Sequence, residues 1–172
     1  LVVKDSRVNE ADNNAFLDMM EKYFEQDDAQ KQKDVRPEVH YQVGATPERV
    51  EQARNHCAKI ADMPPTDRPI TPCPPEKDVK WRFFRRIGPR PTSAAEGAAG
   101  FGDLNALDVI PEKFSGVWAD VCDTWGNKLL QAARDVSCAA AQGFGLPQNT
   151  FVDKMEYGPH LLAPTGTDLK KW

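Results

Sequence analysis

The chain has 172 residues, of which 40% are hydrophobic and 28% are charged, and its formal net charge is −4. This length and composition are typical of one globular domain with enough chain to bury a core. The acidic balance argues against a nucleic-acid-binding protein, which usually carries a basic excess. No apolar run approaches the ~18 residues of a membrane span, and charged residues follow Leu1–Val3 too soon for a signal peptide. We therefore expect an intracellular protein without a membrane span or a nucleic-acid partner.

The first third of the chain predicts short elements around two helices. Leu1–Asp5 could form a short strand, and Asn9–Asn13 offers capping side chains for a helix. The apolar face of that helix would consist of Phe16, Met19, Met20, Tyr23 and Phe24. Glu25–Asp34 is polar and predicts a solvated loop, and Tyr41–Ala45 predicts a short extended piece. A second helix is expected from Thr46 to about Ile60, because threonine caps helices and the next two residues, proline and glutamate, suit a first turn.

The middle of the chain predicts irregular structure. Met63–Pro91 contains prolines at positions 64, 65, 69, 72, 74, 75, 89 and 91. Their fixed φ angles and missing donors forbid a regular ladder or helix through most of the segment, which would be a surface wrap or a linker. Within it, Val79–Phe84 has strand or helix potential. Ser93–Gly102 is rich in glycine and alanine and predicts a flexible loop.

A long helix from about 111 to 143 is the element on which the rest of the chain should pack. Its apolar residues recur in steps of three and four, at Val117, Trp118, Val121, Cys122, Trp125, Leu129, Ala132, Ala133, Val136, Ala139 and Ala140. Such a helix would be roughly 40 Å long. We expect Gly126 to give Trp125 room or to bend the helix, and Gly143 to form a left-handed cap. Asn149–Thr150 would cap a short helix, and His160–Trp172 would be extended or loop.

The cysteines and histidines give no recognisable catalytic or metal motif. Cys122 and Cys138 lie 16 residues apart on the predicted long helix, too far for a disulfide between them. With Cys57 and Cys73, they are expected to be reduced thiols, as is usual in intracellular proteins. His40, His56 and His160 stand in none of the spacings that metal sites use.

Cations and aromatic rings alternate from Trp81 to Arg90, which allows three interpretations. Arg82, Arg85, Arg86 and Arg90 could contact an anion or line a substrate pocket, because guanidinium binds carboxylates in a bidentate fork. The same mixture could stack single-stranded nucleic acid, although the net charge opposes this. A third interpretation is a peripheral segment that buries its rings and leaves the arginines in water.

The C-terminal third resembles the isopenicillin-N-synthase-like family of non-haem Fe(II) oxygenases, most of which use 2-oxoglutarate. The resemblance rests on Trp125–Gly126, on the Gly-Phe-Gly-Leu-Pro run from Gly143 to Pro147, on Thr150–Phe151, and above all on His160–Leu169 with its Leu-Ala-Pro-Thr-Gly sequence. The upstream segments Asp12–Phe24, Tyr41–Glu48 and Trp81–Pro91 are less distinctively similar to the family's N-terminal region.

The resemblance implies the first half of an oxygenase, without its iron site. In that family a jelly-roll barrel follows the Ala-Pro-Thr-Gly segment and carries His-x-Asp, a second histidine and an Arg-x-Ser pair. This sequence contains no His-x-Asp, and Arg90-Pro91-Thr92 matches Arg-x-Ser/Thr only formally. We therefore assign no catalytic, cofactor-binding or metal residue here, although Fe(II) and 2-oxoglutarate are implied for the intact family.

The sequence thus predicts an α+β, helix-rich domain over residues 1–172, with a few short strands packed on the long helix. It divides into a helical part (1–62), a Pro/Gly-rich irregular segment (63–110) and the long helix with the Ala-Pro-Thr-Gly segment (111–172). The expected partner is the family's C-terminal barrel or another protein that covers the long helix. The alternative to an oxygenase segment is a non-enzymatic remnant of that region, retained as a binding or assembly subunit.

Overall fold

The computed structural model describes residues 2–92 and 102–172. The helices are α1 (Glu10–Phe24), α2 (Asp28–Gln32), α3 (Cys57–Ala61) and α4 (Trp118–Gly143). The strands are β1 (Gly44–Thr46), β2 (Trp81–Arg86), β3 (Leu161–Leu162) and β4 (Thr165–Gly166). The expected α+β class, with short strands and one long helix, is confirmed. The loop expected over 93–102 lies outside the described residues except for Gly102.

Strand β2 is the centre of a small antiparallel sheet. Strand β1 pairs with one edge of β2, where Ala45 lies opposite Phe83. Strands β3 and β4 share the other edge, where Leu162 lies opposite Arg85 and Gly166 opposite Trp81. The sheet therefore joins all three predicted segments, and its central strand comes from the proline-rich one.

Helix α1 forms as its sequence predicts. Asn9 caps it by accepting a 2.8 Å hydrogen bond from the Asp12 backbone N–H. The predicted face is buried at Phe16, Met19, Met20 and Tyr23. These residues pack α1 against the first half of α4 and the sheet.

An aromatic cluster joins helix α1, helix α4 and the sheet. The Trp118 ring at the start of α4 lies 4.7 Å from the Phe83 ring of β2 and 5.1 Å from the Tyr23 ring of α1, measured between centroids. Tyr23 and Phe83 also meet edge to face at 5.3 Å. All three side chains are fully buried, so this contact holds both main helices on the sheet.

Helix α4 ends where expected but begins later and is capped differently. Residues Glu112–Phe114 form a 3₁₀ turn, and α4 starts at Trp118. The left-handed residue at its end is Gly145, with φ of +70°, and not Gly143. Gly126 gives room to Ile87 and not to Trp125, because a Cβ at position 126 would lie 2.6 Å from Ile87 Cγ2.

The helix predicted from Thr46 to Ile60 is wrong. Thr46 ends β1, and only Cys57–Ala61 is helical. The chain turns at Arg49, whose φ is +63°, and the Arg49 N–H donates to the Asp78 carbonyl at 2.6 Å. Pairing of Thr46 with Arg82 of β2 therefore overrides the local helix signal.

Three smaller expectations also need correction. Val2–Asp5 forms no strand. The predicted loop 25–34 contains α2, which Asp27 caps through a 2.9 Å bond from the Gln30 N–H. The Thr150 hydroxyl donates to the Pro147 carbonyl and caps no helix, and a 3₁₀ turn follows at Val152–Lys154.

The prediction that all four cysteines are reduced is also wrong. Cys57 and Cys73 form a disulfide, with their Cα atoms 5.6 Å apart. Cys122 and Cys138 are free, in agreement with the argument that they cannot pair with each other. Sequence spacing excludes a bond between Cys122 and Cys138. It does not identify the cysteine that bonds to Cys73, because Cys73 lies in an irregular segment.

Candidate functional site

The arginine–aromatic segment, Trp81–Arg90, and the Ala-Pro-Thr-Gly segment, Ala163–Gly166, pair directly with each other. Trp81 and Arg82 of β2 lie opposite Gly166 and Thr165 of β4, and the Phe83 N–H donates to the Pro164 carbonyl at 3.0 Å. Gly166 is required here, because a Cβ would lie 2.7 Å from Cδ2 of the Phe24 ring. The arginine–aromatic and Ala-Pro-Thr-Gly segments thus form one continuous surface.

That surface is one wall of a groove of about 790 Å³. We call it the α1–β4 groove; its lining residues include Leu17, Met20, Phe24, Lys31, Trp81 and residues 165–171. Lys31 is only 5% exposed. Its ammonium lies 4.6 Å from the Trp81 ring centroid, and it donates to the Phe24 carbonyl at 3.1 Å. The groove therefore combines aromatic and aliphatic surface with a buried ammonium that already pairs with Asp28 at 3.1 Å. Its lining also includes the carboxylate side chains of Glu21, Glu25, Asp27, Glu48 and Asp168.

Arg85 and Arg82 are paired with carboxylates of the same chain. The terminal nitrogens of Arg85 lie 2.9 Å from oxygens of Asp123 and Asp108. Arg85 forms a hydrogen bond with Asp123, whereas its contact with Asp108 is an ion pair without a hydrogen bond. Arg82 pairs with Glu51, and its guanidinium lies 3.8 Å from the Phe84 ring centroid. These charges are neutralised by partners within the chain.

Arg86 and Arg90 hold the chain after β2. Arg86 donates to the carbonyls of Ile87, His160 and Pro89. Burial lowers the pKa of Arg86, with the neighbouring Arg90 charge acting in the same direction. Arg90 donates to Asp108 at 2.6 Å.

The interpretation that leaves the arginines in water does not describe Arg85 and Arg86, which are 6% and 3% exposed. The carboxylates that pair with Arg85, Asp108 and Asp123, lie far along the chain, and no sequence signal identified them. Anion binding by Arg82, Arg85, Arg86 and Arg90 stays a prediction. It would require an anion to compete with Asp108, Asp123 and Glu51 for the same donors.

The second candidate surface is the outer half of α4. One apolar stripe runs along the whole helix in alternating steps of four and three, through Trp118, Cys122, Trp125, Leu129, Ala132, Val136, Ala139 and Gly143. Trp118 and Cys122 are buried under α1 and the sheet. From Leu129, which is 40% exposed, the described part of the chain no longer covers the stripe fully.

The exposed apolar surface continues beyond the end of α4. Phe144 is 76% exposed, and its ring contacts Phe151 edge to face at 6.4 Å. Leu146 is also exposed. We call Leu129, Ala132, Val136, Ala139 and Phe144 the uncovered stripe. Exposed and half-buried apolar residues along one helix face are found where a protein contacts another domain or protein.

Three buried titratable groups, Tyr23, Asp34 and Cys122, lie beneath these surfaces. The Tyr23 hydroxyl donates to Asp34 at 3.1 Å, and burial raises the pKa of both groups. Burial also raises the pKa of the Cys122 thiol to about 12, so this cysteine is not a nucleophile at neutral pH. None of the three side chains opens into the α1–β4 groove.

The histidines are not gathered into a ligand set. His40 contacts Asp103 at 2.7 Å on the surface, and His160 contacts the Met155 carbonyl at 2.7 Å. Within residues 2–92 and 102–172, no three His, Cys, Asp or Glu side chains lie close enough to hold a metal ion. The described residues therefore do not fit an iron site.

The same ranges contain no helix that is long and apolar enough to cross a membrane.

Comparison with protein-family models, curated proteins and solved structures gives no match to this chain. The family resemblance therefore rests on the residues quoted above.

Proposed function

We propose that the chain is the N-terminal part of a non-haem Fe(II)/2-oxoglutarate-dependent oxygenase, in which it supports the catalytic barrel and walls the substrate pocket. The observation that carries the proposal is the uncovered stripe of α4. An apolar helix face that continues past the described core supports a contact with a partner. We propose that this partner is the C-terminal barrel of the same polypeptide, as the family resemblance implies.

In this proposal the α1–β4 groove forms part of the substrate pocket. Trp81 and the Thr165–Gly166 backbone would form a rigid wall, because β4 is hydrogen-bonded to the central strand. Lys31 would place its ammonium, which pairs with Asp28 at 3.1 Å, beside the aromatic surface. Such a wall would orient a small organic substrate and exclude water from it. Anion contacts by Arg82, Arg85, Arg86 and Arg90 belong to the same proposal.

The metal and the co-substrate would be held outside this chain. Since the described residues do not fit an iron site, Fe(II) and 2-oxoglutarate would bind in the barrel, where the family has its ligands. We assign no catalytic step to this chain. An intracellular location stays a prediction; the Cys57–Cys73 disulfide is more typical of oxidising compartments.

The second candidate function is a non-enzymatic binding or assembly subunit descended from the same region. The uncovered stripe supports this alternative equally well, because another protein could cover it. The two candidates differ in what covers the stripe, and the natural length of the polypeptide separates them.

Polar substitutions in the uncovered stripe test the need for a partner. We expect Leu129→Gln combined with Val136→Gln to leave the free energy of unfolding of the 172-residue chain unchanged within about 1 kcal/mol, because glutamine is a good helix former and the sites are partly exposed. The same change should reduce self-association and binding of an apolar dye. Chemical denaturation, light scattering and dye fluorescence would measure these effects.

The matched control is Gln131→Asn with Gln142→Asn, two exposed positions away from the stripe. The control should leave self-association as it is. A loss of about 3 kcal/mol or more on substituting Leu129 and Val136 would mean that the stripe is already covered, which would contradict the proposal.

A further inference from the structure

Residues 52–77 form an arm that has no hydrophobic core of its own. No side chain in this range is buried; only Cys57, Ile60 and Pro75 are partly covered, and Ile70 is fully exposed. Apolar burial therefore contributes little to the order of the arm, which must come from a small number of local contacts.

The base of the arm is fixed independently of its tip. The Arg49 N–H donates to the Asp78 carbonyl, and the Asp78 N–H donates to the Glu51 carbonyl at 2.9 Å. Glu51 also pairs with Arg82 of the central strand. These contacts close the arm where it leaves the sheet, so a change at the tip need not reach the core.

The Cys57–Cys73 disulfide is the covalent contact within the arm, and it joins residues 16 apart. The other described contacts across the arm include a β-bridge between Gln52 and Lys77 and a hydrogen bond from Gln52 to the Pro75 carbonyl, both near its base. Arg68 also donates to the carbonyls of Met63 and Ala61 in water. Cys73 is exposed and Cys57 is partly exposed. A soluble thiol can therefore reach the bond.

We propose that Cys57–Cys73 is a reversible redox site that switches the arm between an ordered and a mobile state while the core stays folded. This inference stands independently of the proposed function. Cys73 is the more exposed of the two residues, which indicates where reduction begins. The short helix α3, which starts at Cys57, is the element that would lose its order.

The reaction is a thiol–disulfide exchange with a dithiol reductant. One thiolate of the reductant attacks Sγ of Cys73, forms a mixed disulfide and releases the Cys57 thiolate. The second thiolate of the reductant then displaces the Cys73 thiolate and closes the reductant's own disulfide. The cysteine pair gains two electrons and two protons, and the dithiol loses them.

Hydrogen exchange measured by mass spectrometry, before and after treatment with dithiothreitol, tests the switch. In the oxidised protein the amides of Ile60, Asp62 and Met63 are bonded within α3 and its last turn. Reduction should make them exchange at least about tenfold faster, because the closed loop no longer restricts the chain. The core amides of Ala45, Phe83 and Ile87 should exchange at unchanged rates.

Two variants keep the test independent of the reductant. Cys57→Ser with Cys73→Ser should reproduce the fast exchange in α3 without dithiothreitol, and Cys138→Ser, a free cysteine outside the arm, should not. Unchanged exchange in α3 on reduction would overturn the proposal. So would loss of protection in the core, or four titratable thiols when the native chain is incubated with oxidised glutathione and then denatured for the thiol count.

Discussion

Replacing Gly44 by alanine should lower the free energy of unfolding by about 3 kcal/mol or more. Gly44 has a φ of +75°, a conformation that costs an L-residue roughly 1–2 kcal/mol. An added Cβ would also overlap the backbone oxygen of Asp34 and lie 2.9 Å from Val109 Cγ2. The Asp34 oxygen cannot move freely, because it accepts the Ala45 N–H at 3.0 Å beside β1.

Gly145→Ala is the matched control for Gly44→Ala. Gly145 has a φ of +70°, but a Cβ there would meet nothing within 4 Å. Its replacement should cost only the conformational term of roughly 1–2 kcal/mol. Denaturant unfolding followed by tryptophan fluorescence measures both variants. Equal losses of stability in the two variants would contradict the expected steric overlap between a Cβ at position 44 and the Asp34 oxygen.

Trp118→Ala should cost about 3–5 kcal/mol, a large part of the stability of an ordinary domain. The Trp118 side chain is fully buried and joins α4 to α1 and β2. Its indole N–H has no hydrogen-bond partner among the described residues. Trp118→Phe should therefore retain much of the stability, because it keeps an aromatic ring and removes an unsatisfied donor.

Trp172→Ala is the comparison for Trp118→Ala. Trp172 is 45% exposed, and its contacts are Arg49 against its ring and Glu48 as an acceptor for its indole N–H. Surface contacts of this kind contribute at most about 1 kcal/mol. If Trp172→Ala lowered the free energy of unfolding as much as Trp118→Ala, the claim that Trp118 lies at the centre of the core would be wrong.

The elements that could be predicted from the sequence are those whose signals are local. Asn9 caps α1, and the spacing of Phe16, Met19, Met20 and Tyr23 identifies its buried face. The apolar period of α4 locates that helix and its end near Gly143. In both cases the stabilising groups lie within a few turns of each other, so the pattern contains the information.

The elements that could not be predicted depend on distant partners. Thr46 begins a helix by local criteria but pairs with Arg82, and Cys57 meets Cys73 only because the arm turns back on itself. Periodicity identifies the apolar face of α4 without telling which half is covered. Likewise, the composition of 81–90 suggests an anion site, but the carboxylates of Asp108 and Asp123 decide where Arg85 points.

The length of the natural polypeptide separates the oxygenase from the binding subunit. The measurement is the intact mass of the protein purified from its source, together with the coding sequence downstream of Trp172. We expect roughly 150 further residues that contain His-x-Asp and a second, distant histidine, the ligand set of a non-haem iron oxygenase. A natural polypeptide that ends at or near Trp172 would contradict the proposed oxygenase function and would leave the binding-subunit alternative to explain the uncovered stripe.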